Sequence, residues 1–214
     1  MTAIGMVVNR ESAMLWADTQ VFRGDVAAEH VNKLVVNPTA RLAAAGTGWC
    51  ALAHAADRET ITAMSLDALL VRLPSVLRHA AARIADEVDD ASDFVSNCYI
   101  IVGWSDRFRH LLGYTFRAGN GFKPERALTF ASPAAPDLAS MGAEIPDDLQ
   151  GVAVEQIADL ARTWKAEITG KVVIATVARS GVTARILLEM EEVIRPSASR
   201  VRAGAPIAEN RANG

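Results

Sequence analysis

Disulfide chemistry is the first thing this sequence lacks. Its 214 residues hold two cysteines, Cys50 and Cys98, each inside an apolar run, which reads as two buried, reduced thiols rather than a bridge or a redox couple. Histidine is as sparse. His30, His54, His79 and His110 are scattered, with no CxxC and no HxxxH spacing, so the familiar zinc arrangements are excluded and no metal is expected. Neither sign of charge dominates: 22 basic against 25 acidic residues give a formal net charge of −3, which leaves no basic footprint for nucleic acid. No apolar run reaches the roughly 18 residues of a membrane span, and no basic segment leads into an apolar one as a secretory signal requires. The expectation is a cytoplasmic protein with neither a nucleic-acid nor a membrane partner.

What is present is an ordinary globular balance, half apolar and 22% charged, sufficient to fill a core without staples. Two strand-like runs open the chain, Thr2–Val8 and Ala13–Ala17, around the turn NRES. Two more follow, Val31–Val36 and Arg41–Ala45, around NPT. Connections this short permit only antiparallel pairing. Two helical stretches come next, from Trp49 to about Met64 and from Ser65 to about Val88. In the second, Leu66, Leu69, Leu70, Leu73, Leu77, Ala80, Ala81, Ile84 and Val88 recur at three- and four-residue spacing, a stripe that requires something flat to pack on. Pro74 removes a backbone donor there and predicts a kink or a break, with one helix or two.

Past the acidic connector DEVDDASD, the runs FVSNCYIIVGWS and RHLLGYTFRA read as a hairpin. AGNGFKPE reads as a loop, ALTFAS as a short strand and PAAPDLASMGAEIPDDLQG as irregular or partly helical. A helix over Val152–Lys165 presents Ile157, Leu160, Ala161 and Trp164 on one face, and KVVIATVA and VTARILLEM close the domain as a hairpin. Residues 1–194 read as one domain and 195–214, without periodicity or large apolar residues, as a flexible tail. Strands, a helix pair, strands, a helix and strands predict an α+β protein. The expected form is a four-layer α/β/β/α sandwich of two antiparallel sheets, each covered by helices. The apolar opening strands fit sheets covered on both faces.

The second residue carries the chemistry. Removal of an initiator Met is favoured before a small residue, and Thr2 would then hold a hydroxyl and a free α-amine together. An α-amine titrates near about 8 and can act as general base for that hydroxyl. A lysine ammonium nearby would lower the amine's pKa, and a carboxylate would position the lysine. Asp18, closing the second strand, and Lys33, in VNKLVV, are candidates. Taken singly, Asp18 reads equally as a turn residue and Lys33 as a snorkelling surface lysine.

These residues give the first fifty positions a resemblance to the proteasome β-type and HslV-like N-terminal-nucleophile hydrolases. The matching features are MT at the start, D-T-Q-V-F-R-G from Asp18 to Gly24, NKL around Lys33, and AAAGTGWCALAHAADR. The resemblance implies the proteasome-subunit-like sandwich, Thr2 as nucleophile and its amine as base, with Asp18 and Lys33 tuning it. It also implies an oxyanion donor at the backbone N–H of Gly46, in the AG turn. Ser132, in FASPAAPDLAS, stands where those families place a serine near the terminal amine, although Pro133 replaces a glycine. Their acidic-and-serine loop before the penultimate strand corresponds here to EITGKVV, with Thr169 its one hydroxyl. The resemblance further implies peptide substrates, self-association into rings, an ATP-dependent unfoldase as partner for folded substrates, and no metal or organic cofactor.

Rival readings start from the same residues. GTGWCA fits G-x-G-x-x-A, but a dinucleotide site needs it after the first strand of a βαβ unit, with an acid about 20 residues on; here four strands precede it and a leucine-rich helix follows. A catalytically silent structural subunit of the same fold, and a small-molecule amidohydrolase with the same nucleophile, both remain compatible with the sequence.

Overall fold

The computed structural model describes residues 3–23, 26–85, 96–132, 147–163 and 171–189. The chain enters on β1 (Ile4–Val8) and returns on β2 (Ser12–Asp18), antiparallel, with Ile4 opposite Ala17 and Val8 opposite Ala13. Asn9 shapes the turn between them: its Oδ1 accepts the backbone N–H groups of Glu11 and Ser12, the asparagine turn that competes locally with strand structure. A small hairpin, β3 (Gln20–Arg23) and β4 (Val26–His30), forms a separate two-stranded sheet. Then come β5 (Leu34–Asn37), β6 (Leu42–Thr47), α1 (Cys50–Thr62) and α2 (Leu66–Ala85). They are followed by β7 (Cys98–Ser105), β8 (His110–Arg117), a 3-10 turn at Ala118–Asn120, β9 (Pro124–Arg126) and β10 (Thr129–Ser132). Helix α3 (Leu149–Thr163) and the hairpin β11 (Lys171–Ala178) and β12 (Gly181–Glu189) complete the described chain.

Two five-stranded antiparallel sheets result, ordered β10-β1-β2-β11-β12 and β5-β6-β7-β8-β9. Their facing surfaces share one core: Ile4, Met6, Val8 and Leu15 from the first sheet meet Ile100, Val102, Trp104 and Leu111 from the second. The outer face of the second sheet is covered by α1 and α2. The periodic stripe of α2 (Leu66, Leu69, Leu73, Leu77 and Ala81) is buried there against Leu42, Ile101 and Phe116, each large side chain contributing about 1.5–3 kcal/mol of apolar burial. Helix α3 covers the first sheet, setting Ala153, Ile157, Leu160 and Ala161 on Trp16, Val172 and Ile174. All five residues of β1 are buried because both faces of its sheet are covered, which removes the alternation of a half-exposed strand. This mixed α+β arrangement of two antiparallel sheets and three helices is compatible with the expected sandwich.

Several expectations need correction. The sequence analysis assigns no strand to the β3–β4 hairpin, whose strands are four and five residues long and do not alternate cleanly. Val31–Lys33 therefore lie outside the strand predicted over Val31–Val36: β5 begins at Leu34, and Lys33 immediately precedes the fifth strand rather than sitting within the third. Helix α2 does not break at Pro74. The proline is buried in the stripe face between Leu73 and Leu77, so packing on the sheet outweighs the lost backbone donor. The loop AGNGFKPE contains a 3-10 turn and the edge strand β9. Gly46 lies inside β6, and the turn it was assigned to comes two residues later, at Gly48 (φ 101°). The tail over 195–214, Trp164 and most of the irregular stretch 133–151 lie outside the described residues.

Candidate active site

Asp18 ends β2 fully buried, and three hydrogen bonds define it. Its backbone N–H donates to the Ala3 carbonyl at 2.9 Å, and its Oδ1 accepts the Ala3 N–H at 3.0 Å. The same Oδ1 accepts from the Lys33 Nζ at 2.8 Å. The first two bonds clamp the head of the first strand to the end of the second; the third reaches to the residue that precedes β5. Oδ2 is buried with no hydrogen-bond partner among the described residues.

Lys33 arrives there by a chain of backbone contacts. The Thr19 N–H donates to the Lys171 carbonyl, and the Thr19 Oγ1 accepts the Lys171 N–H at 3.1 Å, which anchors the exit from β2 on β11. The Val31 N–H then donates to the Thr19 carbonyl at 2.8 Å, returning the chain to the same corner after the β3–β4 hairpin. The Leu34 N–H donates to Asn32 Oδ1 and sets the turn into β5. The Lys33 side chain is left 10% exposed against 0% for Asp18.

Burial raises the pKa of Asp18 above the usual carboxylate range, opposed by the Lys33 charge and by hydrogen bonds from Lys33 and Ala3. Burial likewise lowers Lys33 below the usual ammonium range, opposed by Asp18. Desolvation thus disfavours the charged form of each, and the partner's opposite charge offsets part of that cost, the condition in which a buried pair is sensitive to loss of one member.

The other candidates converge on this corner to different degrees. The β5–β6 ladder ends with Leu34 opposite Ala45, so Gly46 is one step past it, on the side of Lys33. Ser132 is the last residue of β10, half-buried and opposite Ile4 at the head of β1. Thr2 lies outside the described residues, as does Thr169. Nothing local marks Thr19, whose structural part depends on a residue 152 positions away, or Asn97, which is wholly buried behind the Gly46–Trp49 loop. Its Oδ1 accepts the Trp49 N–H at 2.6 Å.

Among the described residues, no group of three or more His, Cys, Asp and Glu side chains is gathered as a metal ion would require, and no helix is long and apolar enough to cross a membrane. A surface hollow of about 1030 Å³, bordered by Val8, Arg10, Arg109, His110, Arg126 and Leu128, lies at the opposite end of β1 from Asp18 and takes no part in this constellation. No protein-family model matches the chain, and no curated protein matches it in sequence.

Proposed function

We propose that this chain is a threonine-type N-terminal-nucleophile hydrolase that cleaves peptide bonds. The observation that carries the reading is the buried Asp18–Lys33 pair, bonded at 2.8 Å and tied through Asp18 Oδ1 to the backbone N–H of Ala3, the residue covalently joined to Thr2. A buried ion pair is an expensive way to fasten the end of β2 to the connection that enters β5. Its cost is understandable where it sets the electrostatics of a reactive group beside it.

In this mechanism, loss of Met1 frees the α-amine of Thr2. The Thr2 hydroxyl oxygen attacks the peptide carbonyl carbon while its proton passes to that amine. The Lys33 ammonium favours the unprotonated amine and the developing alkoxide, and Asp18 holds Lys33 in place. The Gly46 N–H donates to the oxyanion, and Ser132 helps hold the terminal amine. Collapse of the tetrahedral intermediate expels the leaving amine with the proton from the α-ammonium and leaves an ester on Thr2. Water, deprotonated by the same amine, then releases the acid and restores the hydroxyl. No metal or organic cofactor enters. Self-association into rings, an unfoldase partner and a cytoplasmic setting belong to the same proposal through the family resemblance.

The test has two parts. Intact mass of the purified protein should show Met1 absent, and Thr2→Ala should abolish turnover of short fluorogenic peptides while Thr2→Ser retains it. Retention of Met1, or turnover unchanged in Thr2→Ala, would sink the mechanism.

A further inference from the structure

We infer that Asn97 and Tyr99 are positioning residues that hold the Gly46–Trp49 backbone in the form needed to receive an oxyanion; the inference rests on the hydrolase reading above. The two residues are two apart in sequence, at and just before the start of β7, and so lie on one face of that segment, the face toward α1. Each fixes one end of the loop.

At the near end, Tyr99 is paired with Gly46 across the β6–β7 ladder. Its ring leaves no space for a side chain: a Cβ on Gly46 would lie 2.8 Å from Tyr99 Cδ2 and 3.3 Å from the Ala53 Cβ on α1. The ring is itself immobilised. Its hydroxyl donates to Asp57 Oδ1 at 2.8 Å and lies 3.1 Å from Thr60 Oγ1, which donates to the Ala56 carbonyl. Gly46 is thus seated on a ring fastened to the helix that the loop opens.

At the far end, Asn97 is fixed by its carbonyl, which accepts the Ala118 N–H at 3.0 Å. Its side chain crosses Gly48 to accept the Trp49 N–H at 2.6 Å. A Cβ on Gly48 would lie 2.1 Å from Asn97 Oδ1, and Gly48 has φ 101°, so glycine is required there both for conformation and for the close approach of the amide. Trp49 in turn accepts the N–H groups of Leu52 and Ala53, which start α1. The strand end, the left-handed step and the first helical turn are therefore fixed by two side chains of one segment. An oxyanion donor is effective only when its direction is set before the charge develops, and a displacement of about 1 Å can cost about 100-fold in rate.

The experiment compares Asn97→Ala, Tyr99→Phe and Thr2→Ala with the wild type in kcat and KM for one fluorogenic peptide, after thermal melts confirm folding. Amide hydrogen exchange at Trp49 is followed in parallel. Asn97→Ala should lower kcat by about 10- to 100-fold with KM within about threefold, and should speed exchange at Trp49. Tyr99→Phe, which removes only the hydroxyl and keeps the packing, should lower kcat less and in the same pattern. If Asn97→Ala fails to fold, Tyr99→Phe decides. Thr2-dependent turnover that these variants leave unchanged, or that falls only through KM, overturns this inference and leaves the hydrolase reading standing. A wild type without Thr2-dependent turnover overturns both.

Discussion

Asp18 shows how one buried carboxylate can serve structure and chemistry together. Its Oδ1 accepts from a backbone amide and from an ammonium, so removing it leaves Lys33 charged and unmatched in a largely dry corner. Asp18→Ala should destabilise the fold by about 3 kcal/mol in urea unfolding, whereas Asp18→Asn combined with Lys33→Met should recover most of that loss. Additive single-site costs would contradict a coupled pair. The pH dependence has a definite sign. Asp18 is raised from its ordinary 3.8, so its contribution is complete below that value and is lost as pH rises through the folded pKa. Lys33 is lowered from 10.5, so its contribution is complete above that value and is lost as pH falls through the folded pKa. Relative to the double variant, the wild type should therefore pass through a shallow stability minimum between the two transitions. Only half of this residue-scale picture was legible. Both residues stood out as candidates because their types suit a tuned amine, but Ala3, Thr19 and Lys171, which bring them together, carry no chemical signature of their own.

At the scale of the element, local rules explain most of what formed and the misses are instructive. Helix α1 ends where the Asn37 side-chain amide donates to the carbonyls of Thr60, Ile61 and Ala63, capping it from a strand that precedes it in the chain. Strand β1 accommodates a glycine as its second residue because of a contact from outside the strand. Gly5 pairs with Trp16, whose indole lies over it and donates to Gln156 Oε1 on α3 at 3.0 Å. A Cβ at Gly5 would sit 2.4 Å from the ring. Gly5→Ala should accordingly cost about 1–3 kcal/mol as overpacking, read as a lowered thermal midpoint; an unchanged midpoint would mean that the indole can move despite its hydrogen bond. The apolar periods identified α2, α3 and most strands because helix and strand burial repeat at 3.6 and 2 residues, and alanine-rich composition identified α1. They missed β3 and β4, whose residues do not alternate cleanly. They also overstated Pro74, because a propensity penalty says nothing of the sheet that a helix packs on.

For the whole molecule, the two thiols report on the layering. Cys50 is exposed, while Cys98 is buried in the core between the sheets and its thiol is pushed up to about 12 by burial. A thiol-reactive disulfide reagent at neutral pH should label one cysteine quickly and the second only under denaturant, since a reactive thiolate at Cys98 requires the sheets to part. Fast labelling of both would contradict the closed sandwich. Their apolar flanks predict the same buried environment for both cysteines; Cys98 has it and Cys50 does not, because Cys50 lies at a helix start that periodicity does not resolve.

By itself the sequence determined the three helices and most of the strands, that the opening strands would be covered on both faces, and which residue types suited an N-terminal nucleophile. Each follows from information carried within a few neighbours: spacing, turn residues and side-chain chemistry. Only the tertiary structure decided that Lys33, just before β5, would meet Asp18 at the end of β2, that Gly46 would lie level with it, and that Asn97 and Tyr99 would stand behind the loop. Those contacts join residues separated by 15 to about 50 positions. What selects them is the packing of two twisted sheets around a shared core, a property of the folded chain that no local period encodes.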